Sequence, residues 1–166
     1  YTTRKPEQGI LDYHGIKLQL IEIPAIVPGF SKTENGPALL SILRNADLVI
    51  LLFNTPEEKK LLDKELSGID IQMLIPSSFD NLPDKIWQNL DIMKVYTKQP
   101  GKKPNLPPIA LKKGSKIADL AIHIHKDFIK RFKFARVWGK SIRHQGSKAS
   151  LDHTLEDDDI VELHMG

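Results

Sequence analysis

The sequence predicts two domains of different class: an α/β domain with an incomplete parallel sheet over residues 1–90, and an α+β domain of the half-open roll type over residues 91–166. Three observations lead there. The first 90 residues read strand, loop, helix, strand, helix, strand, helix, which is α/β order. From Asp91 the pattern changes to short strands around one amphipathic helical segment. The charge changes at the same place, with 9 Lys/Arg against 12 Asp/Glu in residues 1–90 and 15 against 9 in residues 91–166.

Taking the first half in order, Ile10–Tyr13 and Ile16–Glu22 are predicted strands joined by a turn at His14-Gly15, with Leu18, Leu20 and Ile16 sharing a face by period-two alternation. Pro24 stops the second strand, and Ala25–Pro37 is a loop punctuated by Pro28, Gly29, Gly36 and Pro37. A short helix is expected over Ala38–Asn45. Asp47–Phe53 is a nearly continuous apolar run, the pattern of a central parallel strand covered on both faces. Pro56 suits the first turn of a charged helix that runs to Leu66 and stops at Ser67-Gly68. Ile71–Ile75 is a strand, and Leu82–Leu90 a helix presenting Leu82, Ile86 and Leu90. Three or four sheet strands are few for an open nucleotide-binding sheet, hence an incomplete domain.

In the second half Ile92–Thr97 is a strand, Gln99–Pro108 a Lys- and Pro-rich loop, and Ile109–Leu111 a short strand. Ser115 is the expected cap of a helix of about four turns. Its stripe would be Ile117, Leu120 with Ala121, Ile124, Phe128 and Phe132. Ala135–Trp138 and Ile160–His164 complete the strands, with a long polar connection between them.

The 40% apolar fraction is enough for a core, and the absence of cysteine excludes a disulfide scaffold, thiolate metal ligands and a Cys nucleophile. It also fits a reducing compartment, and a cytoplasmic location is expected. The most apolar stretch, Leu48–Phe53, is too short to span a bilayer, so no membrane partner is expected. A first residue of Tyr1 in place of Met leads us to expect that a true start lies upstream.

Few residues suggest chemistry by themselves. No GxxxxGK[ST] loop occurs to cradle nucleotide phosphates. Glu22 stands at a strand end, either orienting a magnesium-bound water or held by a loop amide. His123 and His125, two apart on a helix, diverge too far to share a metal; His125 reads as a half-buried packing residue. Ser150, Asp152 and His153 match a triad in composition only, with nothing to activate the serine. Asp157-Asp158-Asp159 is read as a tight turn feeding the last strand.

The basic residues carry the strongest signal. From Lys94 to Lys148 there are 15 basic residues and two acidic ones, Asp119 and Asp127, a net of +13. Such a surface points to a polyanion, RNA first. Lysine outnumbers arginine 12 to 3 in this segment, which favours contacts to phosphate over base-specific bidentate reading. The RNA-binding candidates are Lys126, Lys130, Lys133, Lys140 and Arg143. A merely solvated lysine face is the competing reading. Trp138 could stack on a base, but inside an alternating strand next to Gly139 it reads first as core or a protein contact.

Several stretches bear a family resemblance. Val95–Lys98, Ile124–Lys126, Phe132–Gly139 and His153–Val161 closely resemble the TGS domain of the developmentally regulated GTP-binding proteins, a branch of the Obg superfamily. The resemblance covers about residues 91–166 and implies a ubiquitin-like β-grasp fold associated with ribosomes or other translation RNA–protein complexes. The first half resembles pieces of the same family's P-loop GTPase-like domain. Tyr1-Thr2-Thr3 is similar to its switch I threonines, one of which would bind magnesium. Lys17–Ala25 is similar to the strand leading into DxPG, with Glu22 in place of the aspartate and Ala25 in place of the glycine. Ile75–Ser78 is similar to the guanine-contacting loop, with Ser78 in place of alanine and Ser77 before it.

The resemblance therefore implies GTP or GDP and Mg2+ as ligands, with Thr2, Thr3, Glu22, Ala25, Ser77 and Ser78 near the nucleotide and Thr2, Thr3 and Glu22 near the metal. Two family elements are missing. The P-loop would precede Tyr1, and the NKxD motif should fall between about Gly68 and Ile75, where only six residues lie. We expect the chain to join segments across absent stretches; a degenerate domain is the alternative. The implied function is a GTP-binding switch docking on structured RNA or the ribosome, with a regulatory protein as a further partner. A non-hydrolysing RNA- or protein-binding scaffold is the other expectation.

Overall fold

The computed structural model describes residues 5–166, which fall into two compact units. One comprises Lys17–Leu90 with the strand residues before Asp12; the other comprises Asp91–Gly166 with the short segment Asp12–Ile16.

β1 (Glu7–Tyr13) and β2 (Ile16–Glu22) form a two-stranded hairpin. Its turn residues His14 and Gly15 both have positive φ, 51° and 87°, as a two-residue hairpin turn that matches strand twist requires. Ile16 is buried but Leu20 is 39% exposed, so the expected shared face is covered only at its start. A 3₁₀ turn at Phe30–Lys32 leads into α1 (Gly36–Arg44), which starts two residues earlier than expected and buries Leu39, Leu40 and Leu43. Gly36 is required there, because a Cβ at this position would collide with the Phe30 carbonyl.

β3 (Val49–Ile50) pairs in parallel with β4 (Met73–Leu74), and α2 (Pro56–Glu65) lies between them in sequence. Thr55 caps α2 by accepting from the Glu58 amide at 3.2 Å, while the Glu58 carboxylate accepts from the Asn54 amide at 2.7 Å. The expectation of a strand covered on both faces is corrected: Val49 and Leu51 are buried, but Leu52 is 59% exposed. Among the described residues β3 has a single strand neighbour, β4, so it is not a central strand. α3 (Leu82–Asn89) closes the unit, with Ile86 and Trp87 buried.

The second unit is a five-stranded mixed sheet of order β6-β5-β9-β7-β8. β5 (Ile92–Thr97) pairs antiparallel with β6 (Ile109–Lys112) and parallel with β9 (Ile160–Met165); β7 (Phe132–Trp138) runs antiparallel to β9 and to β8 (Ser147–Ala149). α4 (Ile117–Ile124) packs Ile117 and Leu120 into a core with Met93, Val95, Ala135, Val137, Leu155 and Val161, and buries Ala121 as well.

The helix ends sooner than its stripe suggested. His125 is extended, at φ −165° and ψ 133°, and only a four-residue turn, α5 (Phe128–Arg131), follows before Phe132 opens β7. The cap is Lys116 in place of Ser115, with the Asp119 carboxylate accepting from the Lys116 amide at 2.7 Å. β8 lies in what the sequence presented as polar connection.

Candidate functional site

The loop after β2 carries two of the expected nucleotide-side residues. Glu22 is exposed at the strand end and Ala25 is half-buried. Ile23 and Ile26 pack against the first core, in which Phe30 is 3% exposed. The loop is fastened from outside as well: the Glu65 carboxylate accepts from the amides of Gly29 at 2.9 Å and Phe30 at 3.0 Å. Glu65 was not singled out from sequence. The signal was present, since an acid in the last turn of a helix opposes the helix dipole and needs a partner elsewhere.

Ser77 and Ser78 are exposed in the turn after β4. The Lys85 ammonium on α3 donates to the Ser78 carbonyl at 3.1 Å and to its hydroxyl at 3.3 Å. Thr2 and Thr3 lie outside the described residues. Among the described residues no group of three or more His, Asp or Glu side chains is gathered to hold a metal ion. Glu22 therefore has no set of protein carboxylate or imidazole ligands around it, and the described residues do not by themselves make a magnesium site.

In the second unit the acidic triplet is a turn, with Asp158 at φ 71°. Asp159 is fully buried and accepts from the amides of Glu156 at 2.8 Å and Ser141 at 3.3 Å. Asp157 and Asp158 hold the Lys94 ammonium at 3.1 and 2.8 Å. Burial works to lower the Lys94 pKa, but the hydrogen bonds and charges of the two aspartates outweigh it and hold the group above its ordinary value. His153 does meet a serine, but the partner is Ser141, at 2.9 Å from Nε2, and Ser150 contributes only its carbonyl to the His153 amide. His125 is corrected too: its side chain is 61% exposed, and Nδ1 accepts from the Asp127 amide at 3.1 Å.

The structure divides the basic residues into paired and unpaired sets. Lys94 is spent on the acidic turn and Lys98 on Glu162, at 3.4 Å. Lys112, Lys116 and Lys130 each have an aspartate, namely Asp91, Asp152 and Asp127. Among the described residues, Lys126, Lys133, Lys140 and Arg143 are exposed and make no ion pair. These candidates do not form one cluster. Lys126, Lys130 and Lys133 surround α5 and the start of β7, whereas Lys140 and Arg143 follow its end, about 20 Å away at strand rise.

Arg136, and Lys148 of the polar connection, stood outside the sequence's RNA-binding candidates, and they also have no carboxylate partner among the described residues. Their register pairing, Arg136 opposite Lys148, puts them side by side on one face. Alternation along β7 was the available signal, because Phe134, Arg136 and Trp138 all point away from the buried Ala135 and Val137.

Comparison with known proteins adds the family. The TGS domain model matches residues 93–165. An uncharacterized GTP-binding protein of Methanocaldococcus jannaschii is 25% identical over 272 aligned positions, covering 98% of this chain and 70% of that protein. Those positions outnumber the chain's 166 residues, so the alignment crosses segments of the relative that have no counterpart here. Developmentally-regulated G-protein 3 of Arabidopsis thaliana is 38% identical, and developmentally-regulated GTP-binding protein 1 of Xenopus laevis 41% identical. They match over 66% and 52% of this chain, which spans only 30% and 24% of their lengths. The crystal structure of a GTP-binding protein from Pyrococcus horikoshii OT3 aligns at TM-score 0.41 and 22% identity, over 79% of this chain and 36% of that one. Residues 93–165 form a TGS domain, and the chain that carries them is similar to developmentally regulated GTP-binding proteins.

Proposed function

We propose that this chain is part of a guanine-nucleotide switch of the developmentally regulated, Obg-related type, in which the basic TGS domain docks on structured RNA or a ribosome-associated partner. The observation that carries the reading is the pairing of a TGS domain with a first unit that aligns, over 98% of the chain, with a GTP-binding protein. Exposed cations without a carboxylate partner among the described residues, Lys126, Lys133, Lys140 and Arg143 among them, support an anionic partner. In this reading the loop from Glu22 to Phe30 responds to nucleotide, Ser77 and Ser78 lie towards the base, and the protein works in the cytoplasm. Among the described residues no helix is long and apolar enough to cross a membrane.

GTP hydrolysis in such a protein is in-line attack of water on the γ-phosphate. No residue of this chain is assigned a step in it, because the described residues gather no metal ligands and the sequence has no phosphate-cradling loop. One observation favours the second reading, a scaffold indifferent to nucleotide: Glu65 already fastens the loop that would have to move. Titration calorimetry of the intact gene product with GTP and GDP decides between them. Saturable binding supports the switch, and no heat at millimolar nucleotide overturns it in favour of the scaffold.

A further inference from the structure

We propose that the face of the TGS sheet formed by β7 and β8 binds a single-stranded segment of RNA, with Phe134 as a base-stacking position and Arg136 and Lys148 as phosphate contacts. This deepens the docking reading above and rests on it. The sheet has one face against α4, carrying Ala135, Val137 and Val161. The other face carries Phe134, Arg136, Trp138, Glu162 and His164 in register, with Phe134 opposite His164 and Arg136 opposite Glu162.

Charge on this face is uneven. Towards β5 it is neutralised, with Lys94 held by Asp157 and Asp158 and Lys98 by the 5%-exposed Glu162. Towards β8 it is not: Arg136 donates to the Gly146 carbonyl at 2.8 Å, Lys148 is exposed, and neither has a carboxylate partner among the described residues. Lys133 stands at one end of this strip, and Lys140 and Arg143 follow the other. The two separated groups of exposed cations are thus joined by a cationic lane along β7.

The rings on that lane are arranged unequally. Trp138 has Gly146 packed against it, and the ammonium 4.3 Å from its centroid belongs to Lys98, which Glu162 holds in place. Phe134 has His164 stacked at 4.2 Å and 16°, and the Lys148 ammonium lies over its ring, 4.4 Å from the centroid. A lysine on a flexible stem can leave the ring for a phosphate, and a stacked base outweighs the exposed cation–π contact it replaces. Duplex RNA offers no such base, because its bases are already stacked and paired.

The test uses the full chain with oligouridylate, oligoadenylate and a blunt RNA duplex, read by anisotropy across a salt series. A Trp87→Phe background leaves Trp138, beside the lane, as the fluorescence reporter. The expected result is single strands bound more tightly than duplex, with Trp138 emission changing on binding. Arg136→Gln with Lys148→Gln should weaken single strands at least tenfold and flatten the salt slope by about 1.4, or 0.7 per phosphate contact. Phe134→Leu, which keeps an apolar side chain on the sheet, should weaken single strands and leave duplex unchanged, with circular dichroism unaltered. Equal losses for duplex and single strand, or wild-type binding by all these variants while Lys126→Gln with Lys130→Gln is impaired, overturns the proposal and leaves RNA docking intact. Binding of no RNA by the wild-type chain overturns both; capture of a protein through the unchanged lane would then name the other class of partner.

Discussion

Glu65 at the end of α2 accepts a hydrogen bond from the Gly29 amide, 36 residues earlier, at 2.9 Å, and its second oxygen takes the Phe30 amide at 3.0 Å. Both oxygens of one carboxylate are used on consecutive backbone amides, which fixes the direction of the loop as well as its distance. Phe30 is thereby seated in the first core, and the chain turns into α1 at Gly36. Glu65→Ala should free the two amides to exchange faster with solvent while α1 retains its protection, measured residue by residue by amide exchange. Because the Gly29 bond is exposed, the cost in stability should be about 1.5 kcal/mol, at the low end for charged hydrogen bonds. Unchanged exchange at Gly29 and Phe30 would show that Ile26 and Phe30 hold the loop without Glu65.

Lys94 provides the pH prediction. Its folded pKa lies above the ordinary 10.5, the aspartates outweighing burial. A raised pKa means that the charged form is favoured more in the folded than in the unfolded protein. The stabilisation is therefore complete below the unfolded pKa and is lost as pH rises through the folded one. Denaturation midpoints measured from pH 8 to pH 11.5 should fall at the alkaline end, and Lys94→Met should remove that part of the fall. An identical alkaline slope in the variant would assign it to other groups.

The elements legible in the sequence were those whose local signals agree with their packing. Pro56 opened α2 and Ile92–Thr97 read as β5 because local signal and burial coincide there. The break at His125 was not legible, since Ile124, Phe128 and Phe132 keep helical spacing through it. What ends the helix is the need of Phe132 to enter β7 opposite Met165, a tertiary demand that no local window contains. β8 was hidden for the same reason: Ser147-Lys148-Ala149 is a strand by virtue of its pairing with β7. At the candidate site, summed charge identified the basic unit but counted Lys94 and Lys98 as available, although Asp157, Asp158 and Glu162 hold them.

Gly139 and Asp159 form a second joint that tests the TGS unit. Gly139 has φ 139°, a region that favours glycine, and an added Cβ would run into the Asp159 carboxylate. Asp159 has no exposed surface and satisfies two backbone amides, those of Glu156 and Ser141. Gly139→Ala should cost about 3 kcal/mol, through backbone strain and displacement of the carboxylate. Asp159→Ala should cost a similar amount by stranding its amides. The double variant should lose less than the two together, because both damage the same contact. Full additivity in urea denaturation would mean that the glycine is needed for its dihedral angle alone.

Charge reversal around α5 separates general attraction from a shaped interface. Lys126 and Lys133 have no carboxylate partner among the described residues, whereas Lys130 is 80% exposed and lies 3.4 Å from Asp127. Reversing all three to glutamate should weaken RNA binding steeply, and the difference from wild type should shrink between about 50 and 200 mM salt as screening rises. Lys126→Glu and Lys133→Glu should each act strongly alone. Lys130→Glu should act least among the three, because its charge is already offset by Asp127, and it adds a like-charge contact with that residue. Affinity measured at several salt concentrations for the three single variants gives the order directly. A salt-independent affinity, or Lys130 as the dominant residue, would rule out α5 as a phosphate-contacting element.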